Sequence, residues 1–199
     1  STFHRDLVMG RPAEAEIKIR GGSIDVNSTW VVGKTPLMLA AGNGYVELMR
    51  LMVQRGARID AQDHWGATAL HYAVTGGLPT VEFLLDHGIP LDVQTTGTPL
   101  IKERAMQVGE TALMLAARKG AYDILDLLLR RGADPNRLNE SGWSALHYAA
   151  LSGPREAAIR LIESGLKPSE VQNDGKAALA TANAYVFFGR YQEGRLNYE

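Results

Sequence analysis

The sequence predicts an all-α solenoid of stacked helix-turn-helix units joined by hairpin-like turns, and three observations predict it. One phrase recurs, as TPLMLAAGNG at Thr35, TALHYAVTGG at Thr68, TALMLAARKG at Thr111, SALHYAALSG at Ser144 and, more weakly, AALATANAYV at Ala177. The openings lie 33, 43, 33 and 33 residues apart. Glycines keep the same register, with Gly33, Gly66, Gly109, Gly142 and Gly175 two residues before each opening and Gly44, Gly77, Gly120 and Gly153 nine after the first four. Self-similarity at this period marks units that cannot bury their apolar faces alone and must stack on neighbours.

The elements follow in order. Residues 1–29 read as a degenerate capping repeat, with Gly10, a helix from Pro12 to Arg20, and GGSIDVN as its closing turn. Its first helix reads as short and polar, as an end facing water should be. In the unit at 30–62, Thr35 is a natural N-cap and Pro36 takes the first helical position, where a missing N–H costs nothing. A short helix through Leu37, Leu39, Ala40 and Ala41 then stops at Gly44, which accepts a left-handed backbone. A second helix runs from Val46 to about Arg55, its apolar face set by Val46, Leu48, Leu51 and Met52.

The same second helix is expected around Val81, Phe83 and Leu84 in the unit at 63–94, and around Ile124, Leu125 and Leu128 at 105–137. Ala157, Ala158, Ile159, Leu161 and Ile162 supply it at 138–170. Segments such as RIDAQDHWG and DPNRLNESG have the Asp, Asn and Gly content of turns between units. Residues 171–199 read as a partial capping repeat and a tail, whose Tyr185, Phe187, Phe188 and Tyr191 would cover the last repeat or bind a partner.

These residues resemble the ankyrin repeat, which runs roughly G-x-T-P-L-H-x-A-A-x-x-G, then an apolar helix, then G-A-D-V-N. GKTPLMLAAGNG with RGARID, GATALHYAVTGG with HGIPLD, GETALMLAARKG with RGADPN, and GWSALHYAALSG carry the resemblance. It implies a right-stacked, slightly curved helical array that contacts a protein partner through its turn tips and the exposed side of each short first helix.

Carried over by position, that contact surface takes in Trp30, Val31, Val32 and Lys34, then His64, Trp65 and Thr75. Further along it takes in Val108, Glu110, Arg118 and Lys119, and finally Glu140, Trp143 and Leu151. The chain's three tryptophans all fall at the tips. Tryptophan is a favoured binding hot spot, although an indole packed on the neighbouring turn would serve structure instead.

The spacing of 43 inserts ten residues, read as a finger at 95–104. Thr98-Pro99-Leu100 imitates a repeat opening, but Glu103, Arg104 and Gln107 stand where two alanines and a glycine belong. Leu100, Ile101, Lys102 and Arg104 are its candidate contacts, since excursions of this kind often carry function. A neutral insertion is the alternative, because lengthening a loop costs little entropy.

Composition narrows the chemistry. A formal net charge of −1 gives no general attraction to nucleic acid or anionic membrane. No apolar run approaches the length of about 20 residues that spans a bilayer. Without cysteine there is no disulfide and no thiolate ligand or nucleophile. The compartment stays open, cytoplasmic by default, with periplasmic or secreted locations compatible.

His71 and His147 hold the histidine position of the repeat, where the resemblance implies a structural hydrogen bond, and Met38 and Met114 replace them in sister units. His87 precedes a helix-ending glycine, where it can offset the helix dipole. No histidine pair has zinc spacing with a third ligand, and the glycine clusters lack the Lys-Ser/Thr of a phosphate loop. The expectation is therefore a non-enzymatic module without cofactor or metal, binding a protein partner and monomeric alone. The alternative within that class is a stoichiometric inhibitor or immunity-type protein that occludes an enzyme or toxin.

Overall fold

The computed structural model describes residues 2–22, 24–97, 108–152 and 155–165. Among them it holds ten α-helices and no strand, the all-α fold that the repeat predicts. The candidate contacts Leu100, Ile101, Lys102 and Arg104, and the C-terminal cap and tail, lie outside the described residues. The chain divides into two compact units, Ser1–Met106 and Gln107–Glu199.

The first unit contains α1 (Thr2–Val8) and α2 (Pro12–Arg20), α3 (Pro36–Asn43) and α4 (Val46–Gln54), and α5 (Ala69–Gly76) and α6 (Leu78–Asp86). Thr35 starts α3 as expected, its extended backbone placing Oγ1 to accept from the Met38 amide at 3.3 Å. Gly44 stops it in a left-handed conformation, φ 81°. The short helices form the inner row, α3 packing between α1 and α5, so α3 buries Pro36, Leu37, Met38, Leu39, Ala40 and Ala41 together. Close approach needs small residues at that contact. A Cβ on Gly76 would stand 1.8 Å from the Ala41 carbonyl oxygen, so nothing larger than glycine fits there. The longer helices form the outer row and bury one face only, as α4 does with Leu48, Met49 and Met52.

The second unit pairs α7 (Ala112–Lys119) with α8 (Tyr122–Arg130) and α9 (Ala145–Ser152) with α10 (Arg155–Glu163). Thr111 caps α7 through the Met114 amide at 3.3 Å, and Gly120 ends the helix at φ 65°. The apolar stripe of α8 buries Ile124, Leu125, Leu127, Leu128 and Leu129. Truncating a fully enclosed leucine such as Leu128 to alanine costs about 2–5 kcal/mol, through lost transfer energy and the cavity left behind. Asp126 joins the two outer helices, accepting from Arg160 at 2.6 Å and Arg130 at 2.9 Å. Those guanidiniums, Arg160 first, hold its carboxyl below the usual carboxylate range.

One expectation needs correction at the N-terminal cap. Its first helix is not a polar remnant, because α1 encloses Phe3 and Leu7 completely. Large apolar side chains of this cap also face water, beside Thr2 and Arg5: Val8 is 52%, Met9 62% and Ile17 of α2 70% exposed.

Candidate functional site

The turns are built from backbone bonds that repeat at corresponding positions. The Trp30 amide donates to the Lys34 carbonyl at 2.7 Å, Asp63 to Ala67 at 3.0 Å, and Asn139 to Trp143 at 2.9 Å. Each bond closes a hairpin-like tip ahead of a capping Thr or Ser. Tips within a unit are then tied to one another. His64 donates to the Val32 carbonyl at 3.0 Å and Thr96 to that of Trp65 at 2.7 Å, while Glu140 donates to Val108 at 3.1 Å in the second unit. A Cβ on Gly33 would meet the His64 ring at 2.6 Å, which is why the tip residue here is glycine. Val32 pays a conformational penalty beside it, since a β-branched residue stands at φ 60°, ψ 28°.

The Thr96 bond redraws the start of the expected finger. Thr95 is buried, and Thr96 pairs with Trp65 as His64 pairs with Val32. Thr95 and Thr96 are therefore turn residues of the repeat rather than the first residues of an excursion.

Beneath the tips run two related side-chain networks. In the first unit Asp63 accepts from the Trp65 and Ala67 amides at 2.9 and 3.0 Å, and its other oxygen accepts from the Tyr72 hydroxyl at 2.5 Å. Burial first, and then the Asp63 carboxylate, push the Tyr72 phenol far above its ordinary range, so it stays a donor. In the second unit Asn139 replaces the aspartate. Its Oδ1 accepts from Ser141 and Trp143 amides, both at 2.9 Å, and its amide donates to the Tyr148 hydroxyl at 2.9 Å. The Tyr148 hydroxyl in turn donates a hydrogen bond to Glu110, which is fully buried and lies 3.4 Å from Arg118. Burial, followed by the Glu110 charge and bond, raises the Tyr148 phenol.

Glu110 was expected at the contact surface, and its burial removes it from there. A carboxylate one residue before the helix cap is drawn inward where Arg118 pairs with its Oε2 and the Tyr148 hydroxyl faces it. Lys34 occupies the same repeat position in the first unit with the opposite charge. Its ammonium lies 4.7 Å from the Tyr72 ring centre and 6.0 Å from that of Trp65. Burial lowers its pKa, and the Asp63 charge offsets part of that effect.

The other predicted residues divide by exposure. Val31 is 64% and Leu151 61% exposed, and His64, Thr75, Lys119 and Glu140 also face solvent. Val32, Val108 and Arg118 are half-buried. So are all three tryptophans, which have protein neighbours on one side. Trp30 stacks on His4 at 5.3 Å between ring centres, and Trp143 stacks on His147 at 5.7 Å and meets Tyr148 at 5.3 Å. Asp63, Tyr72, Asn139 and Tyr148 escaped sequence reasoning. The available signal was the His-Tyr pair shared by TALHYA and SALHYA, with a carboxylate or amide nine residues ahead of each tyrosine.

The histidines of that pair have structural roles. His71 Nδ1 accepts from the Thr68 amide at 3.1 Å, and His147 Nδ1 from the Ser144 amide at 3.0 Å. In a sister unit Met38 puts its sulfur 3.4 Å from the Thr35 amide instead. His87 shares a 2.7 Å bond with the Phe83 carbonyl. Among the described residues no three His, Asp or Glu side chains are placed to hold a metal ion.

A family model described as ankyrin repeats, in three copies, matches residues 14–95 and 98–184. The chain belongs to the ankyrin-repeat family. It is 36% identical over 152 residues to the transient receptor potential cation channel subfamily A member 1 homolog of Caenorhabditis elegans, covering 76% of this chain and 12% of that protein. It is 32% identical over 165 residues to the ankyrin repeat and KH domain-containing protein mask-1 of the same organism, covering 72% of this chain and 6% of that one. It is also 32% identical over 148 residues to neurogenic locus notch homolog protein 1 of Homo sapiens, covering 74% and 5%. The chain thus spans a small part of the length of these relatives.

Ankyrin repeats are generally protein-protein interaction modules, typically without enzymatic activity of their own. Among the described residues no helix of this ankyrin-repeat chain is long and apolar enough to cross a membrane.

Proposed function

We propose that this chain is a non-enzymatic binding module that engages a partner protein through its turn tips, the open side of its short helices and the segment inserted after Gly97. The observation that carries this reading is the display of large apolar side chains at those positions. Val31 stands 64% exposed at a tip of the first unit, and Leu138 and Leu151 stand 38% and 61% exposed in the second. Each sits beside framework that is already fixed by hydrogen bonds. A surface of this kind loses little conformational entropy on docking, so modest contacts give useful affinity. An interface of standard size, about 1,600 Å² in total, is within reach of a few such tips.

The test is affinity capture from an extract of the source organism, comparing wild type with Val31→Asp, Leu151→Asp and a deletion of Thr98–Arg104. A protein retained by wild type and lost from at least one variant, with helical circular dichroism intact, is the expected result. Identical recovery by all four proteins would overturn the assignment of these surfaces.

A further inference from the structure

Four basic side chains are half-buried among the described residues: Lys18, Lys34, Arg118 and Arg160. Three of them meet carboxylates, Lys18 on Asp6, Arg118 on Glu110 at 3.4 Å and Arg160 on Asp126 at 2.6 Å. Lys34 meets none within ion-pair reach. It is framed instead by the faces of Tyr72 and Trp65.

The carboxylate whose charge acts on Lys34, that of Asp63, is already engaged by two backbone amides and the Tyr72 hydroxyl. An ammonium group has three donors, and aromatic faces satisfy its charge without accepting a conventional hydrogen bond. The neighbouring display positions Val31, Asn43, Gln62, His64, Trp65 and Thr75 include no carboxylate. The corresponding place in the second unit differs, because Glu110 and Arg118 there neutralise one another.

We propose that Lys34, held between Trp65 and Tyr72, receives an aspartate or glutamate side chain from an acidic segment of the partner protein. This rests on the interaction-module reading and names the chemistry of its first-unit surface. The rings hold the ammonium in place without accepting a conventional hydrogen bond from it, so its donors serve the incoming carboxylate and the pair forms without first ordering a flexible side chain. Partial desolvation of the ammonium strengthens that contact relative to an exposed ion pair. Trp65 and the exposed Val31 supply apolar surface beside it.

The test selects binders from a library of short random peptides displayed on phage, using the wild-type chain as bait. The best peptide is then measured by fluorescence polarisation beside a counterpart with every Asp and Glu replaced by its amide. Enrichment of acidic peptides is expected, with affinity falling about tenfold, or about 1.4 kcal/mol, in Lys34→Met. The amide counterpart should bind wild type and Lys34→Met equally, and a variant at an exposed cation outside the contact surface, Arg58→Met, should bind the acidic peptide as wild type does.

Lys34→Met keeps the aliphatic stem, and an unchanged thermal midpoint shows that it is folded. Acidic binders indifferent to Lys34→Met, a preference for phosphorylated over carboxylate peptides, or a selection without acidic enrichment would each overturn the proposal. Non-acidic binders lost with Val31→Asp would do so while leaving the interaction-module reading in place. Its separate failure is read from extract capture.

Discussion

The Tyr72 hydroxyl donates to the Asp63 carboxylate at 2.5 Å, and this contact ties the body of a short helix to the turn that precedes it. Asp63 holds the turn with one oxygen and the helix with the other, so tip and helix move as one piece. Removing the donor leaves a buried carboxylate oxygen short of its strongest partner. Tyr72→Phe is expected to cost about 1.5–3 kcal/mol, the range for a lost hydrogen bond to a charged group. Urea denaturation of the variant beside wild type checks it. An unchanged midpoint would mean that the turn is held by its backbone bonds alone.

Lys34 and Glu110 occupy one repeat position with opposite charges, and the residues beneath them are matched accordingly. Asp63 lies under Lys34's network, whereas the neutral amide of Asn139 serves Glu110's. Asn139→Asp would add a second carboxylate beside the Tyr148–Glu110 pair and remove the amide that donates to Tyr148. A loss of about 2–4 kcal/mol is expected from that buried like-charge contact. Combining it with Glu110→Lys should restore part of the loss by recreating the first unit's arrangement. Additive losses in the double-mutant cycle would show that the two positions are uncoupled.

Val32 is strained at φ 60°, ψ 28°. A left-handed backbone costs a side chain of this shape roughly 1–2 kcal/mol. Val32→Gly is therefore expected to raise stability by about 1 kcal/mol, less the greater entropy that glycine loses on folding. Calorimetry on the two proteins decides, and a lower melting temperature for Val32→Gly would mean that packing of the valine outweighs its strain.

His4 supplies a pH dependence. Burial lowers its pKa from 6.5, opposed in part by the 3.1 Å bond it shares with the Ser28 carbonyl. The unfolded chain therefore binds a proton at higher pH than the folded one does. Its contribution is fully present above about pH 6.5 and is lost as pH falls through the lower folded value. Denaturation midpoints between about pH 7 and pH 5 should fall more steeply for wild type than for His4→Gln. Parallel slopes would show that protonation of His4 is not coupled to folding.

The repeat and its caps were legible because their causes are local. A threonine oxygen reaches an amide three residues on, as Thr35 does, and a helix stops where glycine turns left-handed, as at Gly44 and Gly120. Those events need no distant partner, so residue type and spacing announce them. Exposure at the tips was legible only in part. Val31 and Leu151 face water as their positions imply, whereas Glu110 is enclosed and Trp143 lies half against His147 and Tyr148.

The sequence by itself determined the family, the helix pairs and which residues stand in the row of turn tips. Only the tertiary structure decided which side chains in that row turn inward. A residue beside a tip is buried or displayed according to the partner that the next repeat presents. Tyr148 and Arg118 draw Glu110 in, while the faces of Tyr72 and Trp65 leave Lys34 half open to water. Arg118 comes from the helix that Glu110 precedes, but Tyr148, Tyr72 and Trp65 belong to the following repeat and are brought in by stacking.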